Sequence, residues 1–185
     1  MRTSSDDPAI IQTREWVERV VIGLRLCPFA PAPALKGTIR YATSAATTPE
    51  ALLEDLAVEM QRLIASSPEE LETTLLVHPQ VLQDFEEYND FLAVADGLLE
   101  ALGLEGELQI ASFHPDYRFA GTEADHIGNA TNRSPYPTLH LLREESIARA
   151  VDSYGDTSAI STSNIATLEA LGHDGLEALR RGVPR

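Results

Sequence analysis

The stretch FHPDYRFAGTEADHIGNATNRSPYPTLHLLREE, residues 113–145, decides the fold. It opens on the end of one apolar run and closes on another. Between them lie about twenty residues with neither a helical nor an alternating period. It holds three of the five histidines (His114, His126, His140) and four of the eleven aromatic residues (Phe113, Tyr117, Phe119, Tyr136). It also carries Arg118, Arg133 and Arg143. A long aperiodic insert of this composition in a small domain reads as functional rather than disordered. No helical period lies between the two runs, so the strand after the insert is expected to return antiparallel, as the second leg of an open hairpin.

Upstream, the periods alternate between helix and strand. Trp16, Val17, Val20, Val21 and Leu24 fall at helical spacing and predict a helix over 13–26, stopped by Cys27-Pro28. Residues 28–34 (PFAPAPA) read as an extended, stiff connector. A strand is expected over 38–43. Thr48-Pro49-Glu50 starts a helix to about residue 65. Residues 71–77 read as a buried strand ending at His78-Pro79. Asp84 caps a helix carrying Phe85, Tyr88, Leu92, Ala95 and Leu99. Residues 107–113 form a strand that stops at His114-Pro115, and 138–143 form the fourth. Helices are then expected over 144–155 and 162–171. The order predicts an α/β domain, with α+β as the alternative. Its sheet has four strands, three parallel and one antiparallel, covered by about five helices. The chain reads as one domain over 1–185, with 1–8 and 173–185 as loose ends.

The bulk composition excludes several classes. Fourteen Lys and Arg against twenty-nine Asp and Glu, a net charge of −15, leave no phosphate-tracking surface, so no nucleic-acid partner is expected. One cysteine, Cys27, forms no internal disulfide. No signal pattern and no membrane-length apolar run is present, so a cytoplasmic protein with no membrane partner is expected. No Gly-rich phosphate fingerprint and no GxSxG elbow occurs, so no nucleotide cofactor is expected. A homodimer is left open.

If the strands ending at His78 and His114 are parallel, both histidines arrive at the carboxyl edge of the sheet, where open α/β sheets bind ligands. A fourth strand returning from that edge brings His140 close. Three readings are open for this set. His78, His114 and His140 are the ligands of a divalent metal, His114 and His140 do acid/base work, or each imidazole holds a loop carbonyl. Tyr117 and Tyr136 either line the pocket and donate a proton or pack the loop. Arg133, between Asn132 and Ser134, is suited to grip an anion bidentately. Arg118 and Arg143 are further ligand candidates, with pairing to nearby acids as the alternative. Strand alternation puts His140 and Arg143 on opposite faces. Cys27 continues an apolar helix face at a helix C-terminus, which argues for a buried, inert thiol. A cation such as Lys36, or a metal, would reverse that.

The blocks GLRLCPFA (23–30), LVHPQVLQDFEEYNDFL (76–92), FHPDYRFAG (113–121) and NRSPYPTLHLLRE (132–144) resemble a bacterial family, domain of unknown function 1415. The resemblance spans about residues 13–172 and implies no activity. It returns Cys27 to the candidate nucleophiles and Lys36 to the ligand-binding set. The leading expectation is an enzyme acting on a small polar or anionic metabolite at a histidine-rich rim, possible metal assistance included. A non-catalytic metabolite- or protein-binding module, and a Cys/His redox or metal-handling protein, are the alternatives.

Overall fold

The computed structural model describes residues 6–182. Four strands, β1 (Ile39–Thr43), β2 (Thr73–Val77), β3 (Leu108–Phe113) and β4 (Thr138–Arg143), form one mixed sheet in the order β1-β2-β4-β3. β1 and β2 pair in parallel, and β4 pairs antiparallel with both β2 and β3. The expected sheet of three parallel strands and one antiparallel is therefore corrected: among the described residues β1–β2 is the one parallel pair, because β4 lies between β2 and β3. The crossover rule sets a strand's direction but not its neighbour. The crossover from β2 to β3 skips one position, and β4 fills it. Burial explains the choice. β4 supplies Leu139 and Leu141, both 0 % exposed, and so occupies an interior position beside the wholly buried β2. β3, with Gln109 exposed, takes the edge.

Two helical layers sandwich the sheet. On one face α3 (Pro49–Ala65) and α4 (Phe85–Ala101) pack over Ala42, Leu76, Leu108, Leu139 and Leu141. Buried Glu59 of α3 takes a bidentate bond from Arg40 of β1, at 2.6 and 3.0 Å. On the other face lie α1 (Pro8–Trp16), its π-helical continuation Val17–Ile22, and α6 (Ile160–Arg180). Trp16, Val20, Leu75, Ala130 and Leu168 form that second core. α2 (Pro31–Lys36) and α5 (Glu144–Tyr154) bury no residue.

Among the described residues six α-helices, the π segment and a 3-10 segment (Ile127–Asn132) thus stand where about five helices were expected. The first helix begins earlier than its periodicity suggests, because Asp7 caps it through Ala9 N–H at 2.9 Å and Pro8 sits in its first turn. The expected extended connector contains α2. Its prolines fall in the first turn, where their missing N–H is harmless. Gly23 closes the π segment, and a Cβ there would lie 2.2 Å from Arg19 O. α6 continues past the expected stop: Gly172 kinks it, and Leu176 on the far side is 3 % exposed. Of the expected loose ends, residues 1–5 and 183–185 lie outside the described residues.

β3 and β4 are held at their loop end by Tyr88 of α4. Its hydroxyl donates to Thr138 O at 2.9 Å and accepts from Phe113 N–H at 3.1 Å. Burial pushes the phenol well above its ordinary pKa, so it stays protonated as the bond to Thr138 requires. Tyr88→Phe keeps the ring and strands both backbone groups without a partner. We expect it to lower unfolding free energy by about 2 kcal/mol in urea denaturation, with far-UV circular dichroism unchanged. A loss under about 0.5 kcal/mol would show that the hydroxyl does not hold the strand pair.

Candidate functional site

β1, β2 and β3 all run one way, since β2 and β3 are each antiparallel to β4. Their carboxyl ends share one edge, and residues 114–137 cross it. The loop is tied internally by polar side chains. Buried Asn129 accepts from Phe119 N–H and Thr122 Oγ1 and donates to Glu123 O. Arg133 donates from Nε to Tyr117 O at 3.1 Å and from an Nη to Ala124 O at 2.6 Å. Asn132 donates to Ser112 O, and its own carbonyl accepts from His114 N–H. Between this loop and the start of α4 opens a cleft of about 520 Å3. Gln83, Asp84, Phe85 and Glu86 form one wall. Asp116, Arg118, Ala124, Asp125 and Arg133 form the other.

His78 and His114 reach this edge together, behind the cleft, and each is 0 % exposed. Tyr88 lies between their rings, its centroid 5.8 Å from His78 and 5.1 Å from His114. His78 Nδ1 bonds Val81 O at 3.0 Å, which places the proton there, while its Nε2 has no partner. Burial is the main cause that lowers His78 to about 4; the Val81 bond opposes it. His114 Nε2 bonds Leu82 O at 3.2 Å, and its Nδ1 accepts from Asp116 N–H at 3.0 Å. Burial lowers its pKa too, against the Leu82 carbonyl and the Asp116 and Asp84 carboxylates.

His140 does not join them. It sits two residues inside β4, opposite Leu75 and Ala111, on the α1 face with Phe113. Thr73 Oγ1 donates to Leu141 O, so His140 Nε2 is the donor in the 2.7 Å contact with Thr73 Oγ1. Burial lowers its pKa to about 4. Among the described residues no group of three His, Cys, Asp or Glu side chains is placed to hold a metal ion.

The remaining candidates scatter. Arg143 faces the other way from His140 and donates to Leu63, Ser66 and Leu71 carbonyls, closing the C-terminal end of α3. Ser134 Oγ donates to Tyr136 O, and the Tyr136 hydroxyl to Gln12 of α1. Tyr117 packs against Phe85 and Phe119. Lys36 is exposed on α2. Cys27 is half-buried rather than enclosed, because Leu26 takes the core position and Asn164 of α6 bonds its carbonyl. Arg118 and Arg133 are the two cations that line the cleft. Burial lowers the Arg133 pKa against the pull of Asp116; it remains a cation. Arg118 is the freer of the two, 47 % exposed, with Glu86 4.0 Å away. Sequence reasoning missed Gln83, Glu86 and the cleft role of Asp84. The Asp84 cap signal placed the helix start, but nothing in one sequence says that a loop folds over it.

A family model described as protein of unknown function (DUF1415) matches residues 8–178, and the chain belongs to that family. No curated protein and no solved structure matches the chain. No helix among the described residues is long and apolar enough to cross a membrane.

The histidine burial has a measurable consequence. His78 has a folded pKa of about 4 against an ordinary 6.5, so the folded state favours the neutral ring. The unfolded chain therefore binds more protons between those values, and stability is lost as pH falls from 6.5 toward 4. One such group contributes on the order of 3 kcal/mol across that window. Urea denaturation at stepped pH should show this decline in the wild type and a shallower one in His78→Leu. Parallel curves would contradict the assignment.

Proposed function

We propose that the protein binds a small zwitterionic metabolite in the cleft between the start of α4 and the 114–137 loop. The observation that carries this reading is which charges in the cleft have other engagements. Asp84 is engaged by the N–H groups of Glu86 and Glu87, and Arg133 by two loop carbonyls. Arg118, Asp116 and Asp125 on the loop wall, and Glu86 on the facing wall, are left to meet a ligand, the 4.0 Å contact between Arg118 and Glu86 being the one ion pair among them. A guanidinium suits a carboxylate or phosphate, and the carboxylates suit an ammonium. A purely anionic ligand would meet the −15 net charge of the chain and a cleft with more acids than arginines. A ligand carrying both charges fits better, and a free α-amino acid is the simplest example.

Recognition is better supported than a histidine-based reaction. His78 and His114 are bonded to carbonyls and are not among the cleft-lining residues, and His140 lies on the opposite face of the sheet. Cys27, Lys36 and Arg143 belong to other parts of the surface.

Binding can be measured by calorimetry or by NMR amide shifts at low salt, using α-amino acids, dicarboxylates and diamines of matched size. α-Amino acids should bind more tightly than the other two. Arg118→Ala and Asp116→Asn should each weaken them about tenfold or more, the scale of one charge-assisted hydrogen bond. Tighter binding of dicarboxylates, or affinities unmoved by both substitutions, would overturn the reading.

A further inference from the structure

We propose that His114 is the positioning residue that sets the width of the cleft, with one neutral imidazole tied to both walls. The inference rests on the cleft reading above for its functional meaning, but the tie itself stands on separate contacts. On one side Nε2 meets Leu82 O, the carbonyl immediately before the Gln83–Glu86 wall. On the other, Nδ1 accepts from Asp116 N–H, the first residue of the loop wall. His114 O also accepts from Tyr117 N–H, which continues that wall toward Arg118.

The Leu82 side is strained into place. Leu82 has φ +55°, in the left-handed region that a bulky side chain rarely adopts. Its side chain is 7 % exposed, and the two carbonyls at this bend, Val81 and Leu82, are taken by His78 and His114 respectively. Such a conformation persists where its surroundings over-determine it. The bend turns Gln83 and Asp84 toward the cleft. Phe85 packs against both His114 (5.5 Å) and Tyr117 (5.3 Å), so an apolar wedge holds the walls apart where the imidazole holds them together.

One protonation state satisfies both contacts. A carbonyl at Nε2 requires a proton there, and an amide N–H at Nδ1 requires a lone pair. The opposite tautomer fails at both atoms, and the cation fails at Nδ1. The groups facing the ring divide in their effect: Asp116 and Asp84 favour the cation, whereas burial favours the neutral form, and His78 beyond Tyr88 has the same interest. At 0 % exposure His114 touches no ligand, so its effect on recognition passes through the walls.

The test needs no ligand, so it can fail while the cleft reading stands, and the reverse. In the 15N-labelled full chain at pH 7.5, ring couplings should show the Nε2–H tautomer. Two substitutions then separate the walls. His114→Asn keeps an oxygen near the Nδ1 position for Asp116 N–H and loses the Leu82 contact. His114→Gln keeps an N–H directed at Leu82 O and loses the Asp116 contact. Hydrogen exchange should be at least tenfold faster at Asp116 in the Gln variant but not in the Asn variant. At Glu86 and Glu87, whose amides bond Asp84, it should be faster in the Asn variant alone. Uniform acceleration across both walls and the core in both variants, no acceleration in either, or the Nδ1–H tautomer would overturn the assignment.

Discussion

The Tyr88 hydroxyl bonds one backbone group on each of two strands, Thr138 O and Phe113 N–H, at the end of the sheet where the chain leaves β3 and later re-enters as β4. Those two bonds fix how far apart the strand ends lie. With β4 inserted between β2 and β3, the 114–137 loop must leave from the sheet's edge strand and return to an interior one. It therefore crosses the carboxyl ends of the strands and passes over the start of α4, the helix that carries Tyr88. The cleft follows from that crossing. Its walls are the first turn of α4 and the loop held above it.

The histidines belong to the same frame. His78, Tyr88 and His114 lie side by side with no exposed surface on either imidazole, and each ring bonds a carbonyl of the bend before α4. Hydrogen-bonding demand explains this use. A tight bend of Val81 and Leu82 buried under a loop needs donors for its carbonyls, and two neutral imidazoles supply them. The arginines follow suit: Arg133 serves loop carbonyls, and Arg143 serves those at the end of α3. Arg118 is left with a weak 4.0 Å contact to an exposed glutamate.

Much of this was legible in the residues. Short apolar or alternating runs located the four strands, and period-3.6 patterns located α3 and α4, because each run has a definite stop. His-Pro at 78–79 and at 114–115 marked where β2 and β3 end. The opposition of His140 and Arg143 followed from alternation alone. Sheet order was not legible, because hydrophobic period reports which face of a strand is buried and is silent about its neighbour. The burial of β2 on every residue was a hint that it lies inside the sheet, but not of what lies beside it. Arg133 was assigned to a ligand anion and Arg143 to a ligand or a nearby acid, whereas backbone carbonyls, which have no sequence signature, took both. Cys27 was misplaced because the helix was drawn to residue 26. The helical stretch ends at Ile22 and the chain turns at Arg25 (φ +57°), so that Leu26 enters the core and Cys27, off the helix, is half-buried.

The histidines of the carboxyl edge form a hydrogen-bonded frame, and the proposed recognition falls to the charged side chains in front of them. Adding one equivalent of Zn2+ to the 15N-labelled protein, while following the ring signals of His78, His114 and His140, tests it directly. None of the three should move, because the ring bonds of His78 and His114 are internal and His140 lies on the other face. A stoichiometric, simultaneous shift of all three would contradict it.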